Sequence, residues 1–267
     1  MDVAAEVARS EIKEYFKSHR IECPLNAVAE LLPRLRIDKR THRWKSGEDV
    51  VAAETLVRSY CFNVDDFVEN YLRINLQIEP LNHFDKMAGA PVFGFARPGS
   101  RSIAVCERTL AYEPLYRASV LHEVGHVLLH ANEKSIIQCY SPRSFKRPAF
   151  ERDADAFMIA ALCPKEILNI AIALAVQFHG IKLSEVLNSA DTVKSRWVWR
   201  KIIFPYLLNH ICVSRELLAI YLQDLKVFNS ATKKHHLSYR LETKWTKNIC
   251  RGTLRLPLRE IMRQIEI

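Results

Sequence analysis

Apolar residues recur at helical spacing over residues 3–18, where Val7, Ile12 and Phe16 share a face. Pro24 suits the first turn of a second helix reading through Ala27, Leu31 and Leu32. The basic stretch up to Lys45, closed by Ser46-Gly47, reads as a linker or exposed loop. A longer helical region starts near Glu48 and breaks near Asn63. Asp65 or Asp66 then caps a piece containing Phe67, Tyr71 and Leu72. From Leu76 the period changes. Residues 76–81 alternate as a strand does, and residues 87–106 predict two further strands joined by a turn at Pro98-Gly99. Helical spacing returns from Arg117 to His130. Residues 131–148 are polar, contain Pro142 and Pro148, and read as a loop. The next helix runs from Ala149 to Leu162 and stops at Cys163-Pro164, because proline lacks the amide hydrogen that would continue it. Further helices are expected at 165–178, 184–208 and 214–226, the last capped by Ser214. Residues 230–267 are mixed, with two short strands and a final helix.

This pattern predicts an α+β fold that is mostly helical. A small mixed or antiparallel sheet precedes the 117–130 helix, and extra helices stand at both ends. Three parts are expected: residues 1–45 as a helical and basic extension, 46–229 as the main domain, and 230–267 as a basic terminal segment. No apolar run approaches the ~20 residues that span a bilayer, and the first residues are polar and acidic, unlike a signal peptide. A cytoplasmic protein with no membrane partner is the expectation. The seven cysteines are scattered, without a CxxC pair, which fits reduced and mostly buried thiols better than a disulfide framework.

The net charge of +9 is unevenly placed. Residues 46–229 carry 20 basic and 20 acidic side chains, whereas residues 34–45 sum to +5 and residues 230–267 to +6. A neutral middle thus lies between two positive segments. Those segments are candidate contacts for nucleic acid or an acidic partner, and equally suit plain solvation.

The chemistry concentrates in LHEVGHVLLH, residues 121–130. On a helix, His122 and His126 project from one face, so two ring nitrogens can reach one ion at about 2.0–2.1 Å. Glu123, beside the first ligand, is placed to act as general base on a metal-bound water. Flanking apolar residues make this a buried helix, where polar groups need partners. Gly125 in mid-helix costs about 1 kcal/mol relative to alanine, which is understandable if another backbone or a substrate passes close to it. Catalytic zinc takes three protein ligands, and Glu151, at the start of the following helix, can be the third. Asp155, one turn further on, can accept the free ring N–H of a histidine, while Asp153 points away. Tyr140, in the loop before Glu151, is a candidate donor to an oxyanion, or simply a surface tyrosine. His130 continues the 122/126 face as a substrate-side group or a capping and packing residue. The strand near Ser102–Cys106 is expected to offer a sheet edge to an extended peptide.

LHEVGHVLLH followed by FERDADAFMIAALCP resembles the ImmA/IrrE family of metallopeptidases. The resemblance covers about residues 48–228. It takes in the upstream sheet, Arg117 and the late helix VSRELLAIYLQDL; the stretch between 180 and 212 is longer than the family pattern, and the basic ends fall outside it. It implies a zincin-like core with His122, His126 and Glu151 as zinc ligands, Glu123 as base and Asp155 behind the ligands. It also implies an intracellular endopeptidase acting on a regulatory protein such as a helix-turn-helix transcriptional repressor. The competing expectation is a DNA-binding or partner-binding regulator with a structural or sensory zinc site, using the positive charge of 34–45 and 230–267 on phosphates.

Overall fold

The computed structural model describes residues 3–31, 47–81, 92–132, 137–140, 149–181 and 197–224. Helix α1 (Val3–Ser18) is followed by α2 (Pro24–Leu31) and α3 (Gly47–Ser59). A short π-helical turn, Asp66–Tyr71, leads into the sheet strands β1 (Asn75–Glu79), β2 (Val92–Arg97) and β3 (Ser102–Cys106). Helix α4 (Glu113–Leu129) begins four residues ahead of the expected Arg117, with Pro114 in its first turn, where a missing amide hydrogen costs nothing. Strand β4 (Ile137–Tyr140) precedes α5 (Ala149–Leu162) and α6 (Lys165–Phe178). A π-helical turn, Trp199–Ile203, runs into α7 (Phe204–His210), and α8 is Arg215–Asp224. Ser214 does cap α8, its Oγ accepting the Leu217 amide at 3.1 Å.

The fold is α+β with a small mixed sheet in the order β1-β3-β2-β4. β1 pairs parallel to β3, while β2 pairs antiparallel to both β3 and β4. Two sequence expectations change here. β3 is interior, paired on both sides, and every residue of it is buried, so it offers no edge to a peptide. The loop assigned to 131–148 contains β4, which takes the outer position beside β2.

Helix α4 lies across β2 and β3 and packs along its other side on α5. Its residues 117–127 are all buried, which explains why the segment has no polar face. Helix α1, set by the sequence in an N-terminal extension, packs on α5, and its Ala8 and Ile12 are wholly buried in the main core. Arg9 reaches Glu166 of α6 through two bonds of 2.8 and 2.9 Å. Helix α5 stops as expected, the Cys163 amide bonding to Ile159 before Pro164. Gly180, at φ +61°, turns the chain out of α6 in a conformation that side-chain-bearing residues rarely adopt. No single helix among the described residues is long and apolar enough to cross a membrane. The basic segments 34–45 and 230–267 lie outside the described residues, as do residues 184–196 of the expected 184–208 helix.

Candidate metal centre

Two helices build the site. On α4, His122 and His126 stand one turn apart and turn their Nε2 atoms toward each other, 3.2 Å apart. Helix α5 brings Glu151 to the same point from its first turn, with Oε2 at 3.3 Å from Nε2 of His122 and Oε1 at 3.5 Å from Nε2 of His126. All three residues are buried, and their donor atoms lie within 4.8 Å of one another. The cluster can hold a metal ion.

Close approach of the helices makes this convergence possible. At Gly125 a Cβ would sit 3.0 Å from Cα and 3.2 Å from the carbonyl oxygen of Ala154. The backbone expected to pass close to Gly125 is therefore that of α5. Glycine on one helix and alanine on the other bring Glu151 within reach of both imidazoles.

The donor set has the chemistry of a cation site. Two ring nitrogens 3.2 Å apart that converge on one carboxylate form a set that a single cation placed among them would satisfy. Nδ1 of His122 lies 3.0 Å from Oδ1 of Asp155. That contact places the N–H on Nδ1 and leaves the Nε2 lone pair for a metal. Nδ1 of His126 is buried with no hydrogen-bond partner among the described residues.

The protein groups themselves divide the electrostatics between the two imidazoles. Burial works against a charge on His122, but its hydrogen bonds to Asp155 and Glu151 outweigh that and hold its pKa up at about 10. Burial, and then the charge of His122, push His126 down. The Glu151 carboxyl is held far below the usual carboxylate range, because hydrogen bonds from both imidazoles overcome its burial. Taken together, the two carboxylates draw positive charge to His122, while burial keeps it off His126. A divalent ion bound between the rings and the carboxylate would supply that positive charge in place of protons.

Glu123 is 1% exposed. Its side chain turns from the ligands' helix toward β2, where Gly94 is buried: a Cβ there would meet Oε1 of Glu123 at 2.5 Å and the Ala104 carbonyl at 2.9 Å. A glycine inside an apolar strand marks such an approach, so Phe93-Gly94-Phe95 was the available signal for a site residue that the motif reading passed over. In β4, Cys139 stands in register with Gly94 and Tyr140 with Val92. Tyr140 thereby occupies the end of the outer strand beside the strand that covers Glu123; its side chain lies outside the described residues. His130 lies past the end of α4, with Nε2 3.2 Å from the Phe150 carbonyl and its ring tilted against that of His126 at 5.6 Å. This contact is that of a packing and capping histidine, tying the end of α4 to the start of α5. Asp153 is exposed.

Arg117, five residues before His122, anchors the same helix from the other side. Its Nη1 donates to the Phe62 carbonyl at 2.7 Å, and its guanidinium lies over the Phe62 ring. Comparison of the chain with protein-family models, with curated proteins and with solved structures returned no match.

Proposed function

We propose that this chain is a zinc-dependent endopeptidase with a zincin-like core. The observation that carries the reading is the meeting of the His122 and His126 Nε2 atoms with the Glu151 carboxylate, next to a buried Glu123 that is not part of the cluster. Three protein ligands, the set found among the described residues, is the composition of a catalytic rather than a structural zinc site. Bound there, zinc supplies Lewis acidity toward a peptide carbonyl and lowers the pKa of water. His122, His126 and Glu151 hold it, and Asp155 keeps the His122 ring in the ligating tautomer. Glu123 takes the proton from the attacking water and returns it to the leaving amine. The outer strand β4 supplies backbone groups along which an extended peptide can align. Tyr140, at the end of that strand, is the proposed donor to the oxyanion.

The resemblance of LHEVGHVLLH and FERDADAFMIAALCP to the ImmA/IrrE family supports a cytoplasmic enzyme whose substrate is a regulatory protein such as a helix-turn-helix repressor. The regulator reading rests on residues 34–45 and 230–267, and no feature of the described residues favours it. Glu123→Gln separates the two. It should keep zinc at one equivalent, measured by metal analysis, and lose cleavage of a protein co-expressed from the neighbouring genes. Cleavage that survives the substitution would falsify Glu123 as the base.

A further inference from the structure

The sulfurs of Cys61 and Cys212 lie 2.7 Å apart, although the residues are 151 positions apart in sequence. Neither belongs to a regular element. Cys61 is exposed between α3 and the 66–71 turn, and Cys212 is half-buried in the short connection between α7 and α8. The other cysteines whose side chains are described, Cys23, Cys106 and Cys163, are buried.

We propose that Cys61 and Cys212 form a peroxide-reactive thiol pair, in which Cys61 is the attacking thiol and Cys212 closes a disulfide with it. Three features support this. The sulfurs are already in hydrogen-bond contact, in a protein otherwise read as having no paired cysteines. The hydrogen bond shared with Cys212, opposed by burial and helped by the Arg117 guanidinium, lowers the Cys61 pKa to about 6. The same hydrogen bond, with burial, holds the Cys212 proton in place. Cys61 is thus the more readily ionised of the two and the one reachable from solvent, while Cys212, half-buried behind it, is placed as the resolving thiol. Both sulfurs sit on connecting segments, which can close the remaining distance to a bond of about 2.05 Å without displacing a helix.

The chemistry balances with hydrogen peroxide as the oxidant. The Cys61 thiolate attacks one peroxide oxygen, the O–O bond breaks, and hydroxide leaves and is protonated to water. Cys61 becomes a sulfenic acid. The Cys212 sulfur then attacks the Cys61 sulfur, the S–S bond forms, the S–O bond breaks, and a second water departs with the Cys212 proton. Two thiols are oxidised and one peroxide is reduced to two waters.

The test uses the full chain with its metal loaded, one equivalent of hydrogen peroxide, an alkylating quench and peptide mass spectrometry. The expected product is a Cys61–Cys212 cross-linked peptide that dithiothreitol removes. In Cys212→Ser, Cys61 should instead be trapped by dimedone as a sulfenic acid. In Cys61→Ser, Cys212 should survive the same dose unmodified. Over-oxidation of Cys61 while Cys212 stays reduced, or pairing of Cys61 with any other cysteine, would overturn the proposal. The readout is independent of peptide hydrolysis.

Discussion

Oε1 of Glu123 fills the space that a side chain on Gly94 would need, at 2.5 Å from the position of its Cβ. Glu123, the proposed base, and the strand that covers it are fitted to each other across 29 positions of sequence. Gly94→Ala should therefore displace Glu123 while leaving the ligands on α4 and α5 in place. General-base catalysis contributes about 10²–10⁴-fold, so cleavage should fall by roughly 100-fold with zinc content unchanged. Gly99→Ala, where no atom lies within 4 Å, is the matched control and should be neutral. Metal analysis beside a cleavage assay reads both.

Gly125→Ala sets two effects against each other. Alanine gains about 1 kcal/mol of helix propensity. Its methyl would meet the Ala154 backbone at 3.0 and 3.2 Å, and a backbone in a packed helix cannot turn aside as a flexible side chain does. Overpacking of this kind costs about 1–3 kcal/mol. A net loss of stability in urea is expected, together with weaker zinc binding as α5 is pushed outward. A variant more stable than the wild type would show that the two helices have slack at this point.

Asp155→Asn keeps an acceptor near Nδ1 of His122 but removes the charge that now lies 3.0 Å from it. Outer carboxylates of this type are worth about 10–100-fold in metal affinity. Competition with a chromophoric chelator should show a loss in that range. An unchanged affinity would mean that the His122 ring is held by packing alone.

The Cys61 thiol gives a pH dependence with a definite sign. Its hydrogen bond with Cys212, then Arg117, bring its pKa to about 6 against the effect of burial. The thiolate fraction should rise through that pH and be complete above about 7, whereas an ordinary thiol continues to ionise through about 8.5. Alkylation of Cys61, followed peptide by peptide, should therefore reach its plateau first. In Cys212→Ala the midpoint should move upward, because the principal hydrogen-bond partner of Cys61 is gone.

What the sequence made legible was local. The periodicity of 117–130, the proline stop at Pro164 and the spacing of His122, His126, Glu151 and Asp155 each depend on residues within a turn or two. The structure brings those four together. Strand β4 escaped because four residues, Ile137–Tyr140, in a polar stretch near Pro142 carry too little alternation to register. The central position of β3 escaped because strand order is not written in any one strand; only its unbroken burial betrays it. The Cys61–Cys212 contact and the Gly94–Glu123 fit were out of reach for the same reason: each joins residues far apart in the chain. The sequence expectation of mostly buried cysteines holds for Cys23, Cys106 and Cys163, and fails at this pair.

The contact of Gly125 with Ala154 bears on any attempt to move this centre to another scaffold. Grafting two histidines and a glutamate onto a pair of helices at ordinary separation would leave the carboxylate short of the rings, because ordinary side chains hold helix axes about 8–10 Å apart. The portable unit is a spacing set by two small residues, and the polar residues are its passengers.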